Sequence, residues 1–297
     1  MIGYILAGIS SIFYAIYNVP KKLSKQKPMY YIVFMGISYF IVSLMFYIGN
    51  KIINPNTNET LLIPVLIFTA IRGVSWWAAS LLLLMAIDKI GFGKANQWKI
   101  LQSPIGTFLI LVFLQEMLVT KLAFIIASAI LMTLSAFLIT VNKGDAKNTL
   151  VKDKRGIIYV IIATIFLGGN VFINKWTTNT GLVYAQTVYM SFFIMLSSII
   201  YLFIKERSLK ELLKFKERDN YLALIGGILY FFAGLLSTMA FKYILGSIGY
   251  IIINLQSVWT LLIGVFIFKE IDFKKNWLGL VAGILCAITA IVLLLFA

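Results

Sequence analysis

Two glutamines set within long apolar stretches, Gln102 and Gln256, are the first residues whose chemistry asks for an explanation. Each sits in the same tripeptide, Leu101-Gln102-Ser103 and Leu255-Gln256-Ser257. A carboxamide donates and accepts hydrogen bonds, which suits it to hydroxyl groups. Asn254 lies beside the second glutamine, and Tyr14, Asn18, Asn170 and Asn174 form a further polar set in two other apolar stretches. Arg72 and Lys99 place cations in the same kind of surroundings. An arginine cannot shed its proton, so a buried one needs carbonyls, water or an anion. Lys99 has a plainer reading, a stem that snorkels to the membrane surface. Trp76 follows Arg72 by about one helical turn, and Trp259 follows Gln256 by three residues. Indole faces stack on sugar rings or nucleobases, although tryptophans also anchor helices at membrane interfaces. The amides too have a plainer reading, as hydrogen-bonding glue between helices.

Other chemistries lack their parts. The chain has no histidine, so the commonest metal ligand and the usual near-neutral proton carrier are missing. Cys286 is the single cysteine and can form no intrachain disulfide. No GxxxxGK[ST] loop occurs. With no paired acids inside apolar runs, a nucleophile–base pair has nothing to be built from. The expectation is a protein that is not an enzyme, with no metal site and no cofactor.

The elements that must position these residues follow from composition. Of 297 residues, 61% are hydrophobic and 12% charged, and mean hydropathy is +0.95. The apolar residues come in blocks of about 20, the length a helix needs to cross a bilayer core of roughly 30 Å. Backbone amides inside lipid must be satisfied internally, so the blocks are helices. Ten spans are expected: 2–19, 29–49, 61–87, 91–113, 121–141, 156–174, 182–204, 221–241, 246–268 and 276–296. The fourth and ninth also read as broken helices. At 1.5 Å per residue, Gln102 and Gln256 lie roughly 15 Å deep, near the midplane. The fold class is all-α and integral to the membrane.

The net charge of +15 is a topology signal and not a nucleic-acid footprint. Loops after odd-numbered spans hold 20 of the 26 Lys and Arg residues. Loops after even-numbered spans hold only Lys51, Lys121, Lys175 and Lys242. The positive-inside rule then places the odd loops in the cytoplasm and both termini outside. The expected location is a bacterial-type plasma membrane, with no nucleic-acid partner. Residues 205–214 place leucines at helical spacing among charges and read as an amphipathic surface helix.

The chain also repeats itself at an offset of 154. Segment 79–116 aligns without a gap on 233–270 with ten of 38 positions identical, including Met85-Ala86 with Met239-Ala240 and Glu116 with Glu270. A unit of five spans has an odd number, so two in tandem enter the membrane in opposite directions. The expected organisation is a first five-helix repeat over 1–146 and a second over 147–297, with a solute site between them at mid-membrane.

Three stretches carry a family resemblance: Tyr14-Ala15-Ile16-Tyr17-Asn18-Val19-Pro20-Lys21-Lys22, Ala86-Ile87-Asp88-Lys89-Ile90-Gly91, and the paired Leu-Gln-Ser tripeptides ahead of Glu116 and Glu270. With the length and five-plus-five duplication, these resemble the EamA-like drug/metabolite transporter superfamily, closest to its glucose/ribose porters and rhamnose permeases. The resemblance implies alternating access around spans 1, 3, 4, 6, 8 and 9.

The function expected is secondary transport of a small polar solute, a sugar or related metabolite. Its expected solute-binding residues are Gln102, Gln256, Asn254, Arg72, Trp76, Trp259, Asn18, Tyr14, Asn170, Asn174 and Lys99. A coupling proton or sodium ion stays open, with Asp88, Glu116 and Glu270 all near span ends and so readable as interfacial charges. An anionic metabolite paired with Arg72, or a nucleoside-like one, is the alternative. A non-transporting membrane sensor is the alternative of another class.

Overall fold

A computed structural model describes residues 1–55, 63–118, 121–140, 154–207, 217–269, 273–294 and 296. Every regular element among them is helical. In chain order they are α1 (Ile2–Ile16), α2 (Val19–Leu23), α3 (Pro28–Ile53), α4 (Ile63–Ile90), α5 (Phe92–Trp98), α6 (Gln102–Phe113), α7 (Leu122–Thr140), α8 (Lys154–Asn179), α9 (Tyr184–Glu206), α10 (Arg218–Tyr243), α11 (Gly246–Ile253), α12 (Gln256–Leu262) and α13 (Phe273–Leu294). Among the described residues, seven helical stretches are long and apolar enough to cross a membrane: Ile2–Leu23, Pro28–Ile53, Ile63–Ile90, Lys154–Asn179, Tyr184–Glu206, Arg218–Tyr243 and Gly246–Ile267. Shorter apolar helices lie at the positions of the three remaining spans. The protein is an integral membrane protein of the all-helical class. The expected amphipathic helix, the 146/147 boundary and Glu270 fall, wholly or mostly, outside the described residues.

The fourth and ninth spans are broken. A 3-10 turn at Lys99–Leu101 separates α5 from α6. Pro104 in the first turn of α6 explains it, because the proline ring would clash with the carbonyl of Ile100 in a continuous helix. The ninth span stops at Ile253 and resumes at Gln256. No proline acts there. Instead the Asn254 amide turns back and donates to the Tyr250 carbonyl at 2.9 Å, offering the backbone an alternative partner. The first span also changes course at Tyr17-Asn18, just before Pro20.

Helix packing is close and crosses between the two halves of the chain. α4 packs on α8 and α9, α10 on α1 and α3, α3 on α9, and α6 on α8 and α11. α11 and α12 lean on α1, while α7 and α13 pack chiefly on each other. Two glycines permit close approaches at corresponding crossings. A Cβ at Gly73 would lie 2.8 Å from the Met190 carbonyl and 2.7 Å from the Phe193 Cβ on α9. A Cβ at Gly227 would collide with the Met35 carbonyl and the Ser38 hydroxyl on α3. Small residues at such crossings let backbones touch, which is what holds helices together when lipid is as apolar as leucine.

Gly227→Ala is therefore expected to lower the apparent melting temperature of the purified protein. The overpacking cost is on the order of 1–3 kcal/mol. Gly49→Ala, where an added Cβ meets nothing within 4 Å, is the control and should not lower it.

Candidate solute-binding cavity

The helix breaks, α1, α4, α8 and α10 line a small open-mouthed cavity of about 50 Å³, room for a few waters in this conformation. Eight of the eleven expected residues line it: Tyr14, Arg72, Trp76, Lys99, Gln102, Asn170, Asn174 and Gln256. Tyr17, Ser237, Tyr230 and Tyr250 line it as well.

Both glutamines open the helix segments that follow the breaks, so each carboxamide sits where regular backbone pairing has just stopped. Gln102 makes no side-chain hydrogen bond among the described residues and so faces the cavity with its full capacity. Gln256 accepts from the Lys99 ammonium at 3.1 Å through Oε1. Lys99 also reaches the Tyr17 hydroxyl at 3.4 Å and lies 5.2 Å from the centre of that ring. It is 6% exposed, so the snorkelling reading fails: its ammonium is spent inward.

Arg72 is equally buried. Its Nη1 donates to Gln186 Oε1 at 3.2 Å, and its buried Nε has no partner. Gln186 is fixed in turn by Thr177, which donates to the same oxygen, and by Thr178, which accepts from Nε2 at 3.2 Å. Asn170 donates to Ser75 at 2.8 Å and leaves its Oδ1 buried without a partner. Asn174 donates to Ser237 at 3.3 Å and accepts from Thr238 at 3.1 Å.

The aromatic surface comes from Trp76 and Tyr230, whose ring centres are 4.3 Å apart. Tyr17, Tyr14 and Tyr39 surround Tyr230 at 5.1, 5.7 and 5.1 Å. Tyr230 was the partner the repeat could have disclosed, since it stands 154 residues after Trp76. Tyr17 lies toward the cytoplasmic end of its span and reads from sequence only as an interface marker, yet it is buried in the cavity wall; Tyr250 and Ser237 gave no signal above the many other tyrosines and serines.

Three expected residues do not line the cavity. Asn18 is buried and donates to Asn96 Oδ1 at 3.4 Å. Asn254 is wholly buried and ties the two breaks together, donating to the Ser103 hydroxyl at 2.9 Å. Trp259 is 38% exposed, and its indole N–H is spent on the Ser11 hydroxyl at 3.1 Å. Position along the helix does not fix rotation about its axis, which turns Trp259 outward.

Two polar clusters hold span ends. Lys21, buried despite its charge, donates to Asp88 at 2.8 Å and to the Gln26 carbonyl at 3.0 Å, near the end of α4. Lys175 on α8 donates to the Phe241 and Ile244 carbonyls at 2.7 and 3.3 Å, at the end of α10. Glu116 is not a solvent-exposed charge. It is buried, and its carboxylate accepts from the backbone amides of Gly246 and Ser247 at 2.8 and 2.9 Å and from the Ser247 hydroxyl at 2.6 Å. It thereby caps the start of the broken ninth span.

A helical membrane protein with a buried, amide-lined central cavity is the class that fold and site define. The model of one family, described as sugar transport protein, matches residues 56–297. The chain belongs to the sugar transport protein family. No curated protein sequence matches it. One solved structure, described only as the crystal structure of a protein, superposes with a TM-score of 0.66 at 13% identity, covering 98% of this chain and 95% of the other. At that identity the likeness concerns the fold alone.

Removing the Glu116 carboxylate strands two buried amides. Glu116→Ala is expected to cost on the order of 2 kcal/mol, read as a fall in apparent melting temperature. An unchanged melting temperature would remove Glu116 from the role of cap.

Proposed function

We propose that the protein is a secondary transporter that carries a sugar or closely related polar metabolite across the membrane by alternating access. The observation that carries this reading is the meeting of Gln102 and Gln256 in one buried cavity. They are equivalent positions of an internal repeat, each set at a break in a membrane span. Broken spans at mid-membrane are tolerated where they line a cavity, and they are characteristic of solute sites in transporters.

Two inverted five-helix repeats, 1–146 and 147–297, form the proposed organisation. The packing pattern supports it. Exchanging the halves turns α4 on α8 into α10 on α1, and α4 on α9 into α10 on α3, and both members of each pair occur. Gly73 and Gly227, 154 residues apart, make the corresponding close approaches to α9 and α3. Trp76 and Tyr230, also equivalent, pack against each other with their ring planes tilted by 41°, as residues near a two-fold axis could. The likeness to the EamA-like superfamily and to its sugar-uptake branches agrees with this plan.

The cavity residues above are the proposed binding set, with Tyr230 and Trp76 as the stacking surface for a sugar ring and the amides as hydroxyl partners. Both termini are proposed to lie outside a bacterial-type plasma membrane. Coupling to a proton or to sodium belongs to the same proposal and has no assigned residue.

Gln102→Ala and Gln256→Ala are each expected to lower sugar uptake into proteoliposomes about three- to ten-fold at unchanged expression, the loss of one or two neutral hydrogen bonds. Uptake equal to wild type in both would remove them from the site. Orientation is tested in a Cys286→Ser background. A single Asn54→Cys should react with a membrane-impermeant maleimide in intact cells, and a single Lys25→Cys only after lysis. The reverse pattern would invert the topology.

A further inference from the structure

We propose that the solute is an acidic sugar, a polyhydroxylated carbon chain bearing one carboxylate, and that Arg72 binds that carboxylate. The inference rests on the transport reading and names its substrate class.

The charge balance of the cavity carries the argument. Arg72 and Lys99 both line it, and both are 6% exposed. Among the described residues neither has a carboxylate within salt-bridge distance; the ion pair found there joins Lys21 to Asp88. The cavity therefore holds the fixed charge of Arg72 and the amine of Lys99, with no carboxylate among its lining residues. A low-dielectric chamber of one sign concentrates ligands of the other.

The two basic groups are not equivalent. Lys99 is held by Gln256, by the Tyr17 hydroxyl and by the Tyr17 ring. Among the described residues Arg72 has one side-chain hydrogen bond, to a neutral amide, and a buried Nε with no partner. Gln186 presents its oxygen to Arg72 because Thr177 and Thr178 fix its orientation, so the guanidinium is held in place without being neutralised. Such a group matches a planar carboxylate, which can accept two of its N–H donors at once. A neutral sugar would leave the charge uncompensated.

The rest of the ligand follows from the remaining open groups. Asn170 and Tyr250 line the cavity, and the buried Asn170 Oδ1 has no partner among the described residues. They suit hydroxyl groups. The Trp76–Tyr230 surface suits the apolar face of a ring. An acid lacking hydroxyls would leave the oxygen acceptors unpaired, and a sugar lacking the acid would leave Arg72 so.

The test uses the purified full-length protein in lipid nanodiscs at neutral pH, with D-glucuronate, D-glucose and D-glucuronamide as probes. Glucuronamide keeps the ring and hydroxyls and removes only the charge. Glucuronate is expected to bind at least about ten-fold more tightly than either neutral probe, the scale of one charge-assisted pair. Arg72→Gln should abolish that preference, and Arg72→Lys should retain part of it. Equal affinity of wild type for all three, or a preference for glucose, overturns the acidic substrate and leaves the transport reading intact. A folded Arg72→Gln that still prefers glucuronate overturns the assignment to Arg72. Failure of all three to bind or to drive counterflow overturns the sugar-transport reading as well. Should Arg72→Gln not fold, the comparison of glucuronate with glucuronamide in wild type decides alone.

Discussion

Stopping a helix inside a bilayer leaves carbonyls and amides where no water reaches them. This chain stops two, at Lys99–Leu101 and at Asn254-Leu255, and much of the site's construction answers to those interruptions. Asn254 answers at both: its amide returns to the Tyr250 carbonyl and also reaches Ser103, on the first turn beyond the other break. Glu116 answers at the far end, supplying acceptors to the first amides of α11. The glutamines that open α6 and α12 directly after the two breaks both line the cavity.

The ten apolar blocks and their approximate ends were plain in the sequence, because a bilayer imposes both length and polarity on a spanning helix. Both breaks were readable as an alternative for the fourth and ninth spans, but their causes, Pro104 in one and the turn of the Asn254 side chain in the other, came from the structure. Gln102 and Gln256 were found through the repeat, which singles out positions regardless of which way a side chain points. Trp259 was not protected in this way. In a helix whose faces are all apolar, depth is readable and rotation is not, and Trp259 turns its ring away to bond Ser11. Glu116 misled for a related reason: closeness to a span end in sequence does not fix closeness to water.

The span-end clusters show how charge is admitted into so apolar a chain. Lys21 and Lys175 are 154 residues apart and both are buried. Each is satisfied near the end of the third span of its own half, Lys21 by Asp88 near the end of α4 and Lys175 by the last carbonyls of α10. A cation suits the carbonyl end of a helix, where the backbone dipoles leave partial negative charge. The same device therefore closes both helices, once with a carboxylate in direct contact and once with backbone carbonyls and the Glu116 carboxylate nearby. That difference lies outside the cavity and costs the shared architecture nothing.

Inside the cavity the halves differ more sharply. Position 154 beyond Arg72 is Gly226, and position 154 beyond Lys99 is Ile253. At Gly226 an added Cβ would lie 2.5 Å from the Tyr31 hydroxyl, so the second half has no room there for a side chain. Scaffold positions are duplicated, but charge is carried by the first half alone. The second half offers Gln256, Ser237 and Tyr230, all neutral. Hydrogen bonds to a charged group contribute roughly two to three times as much as those between neutral groups. In an alternating-access cycle an anionic solute would then stay with the first half, while its weaker contacts to the second are exchanged as the halves rock. A cavity charged equally from both sides would hold such a solute against that motion.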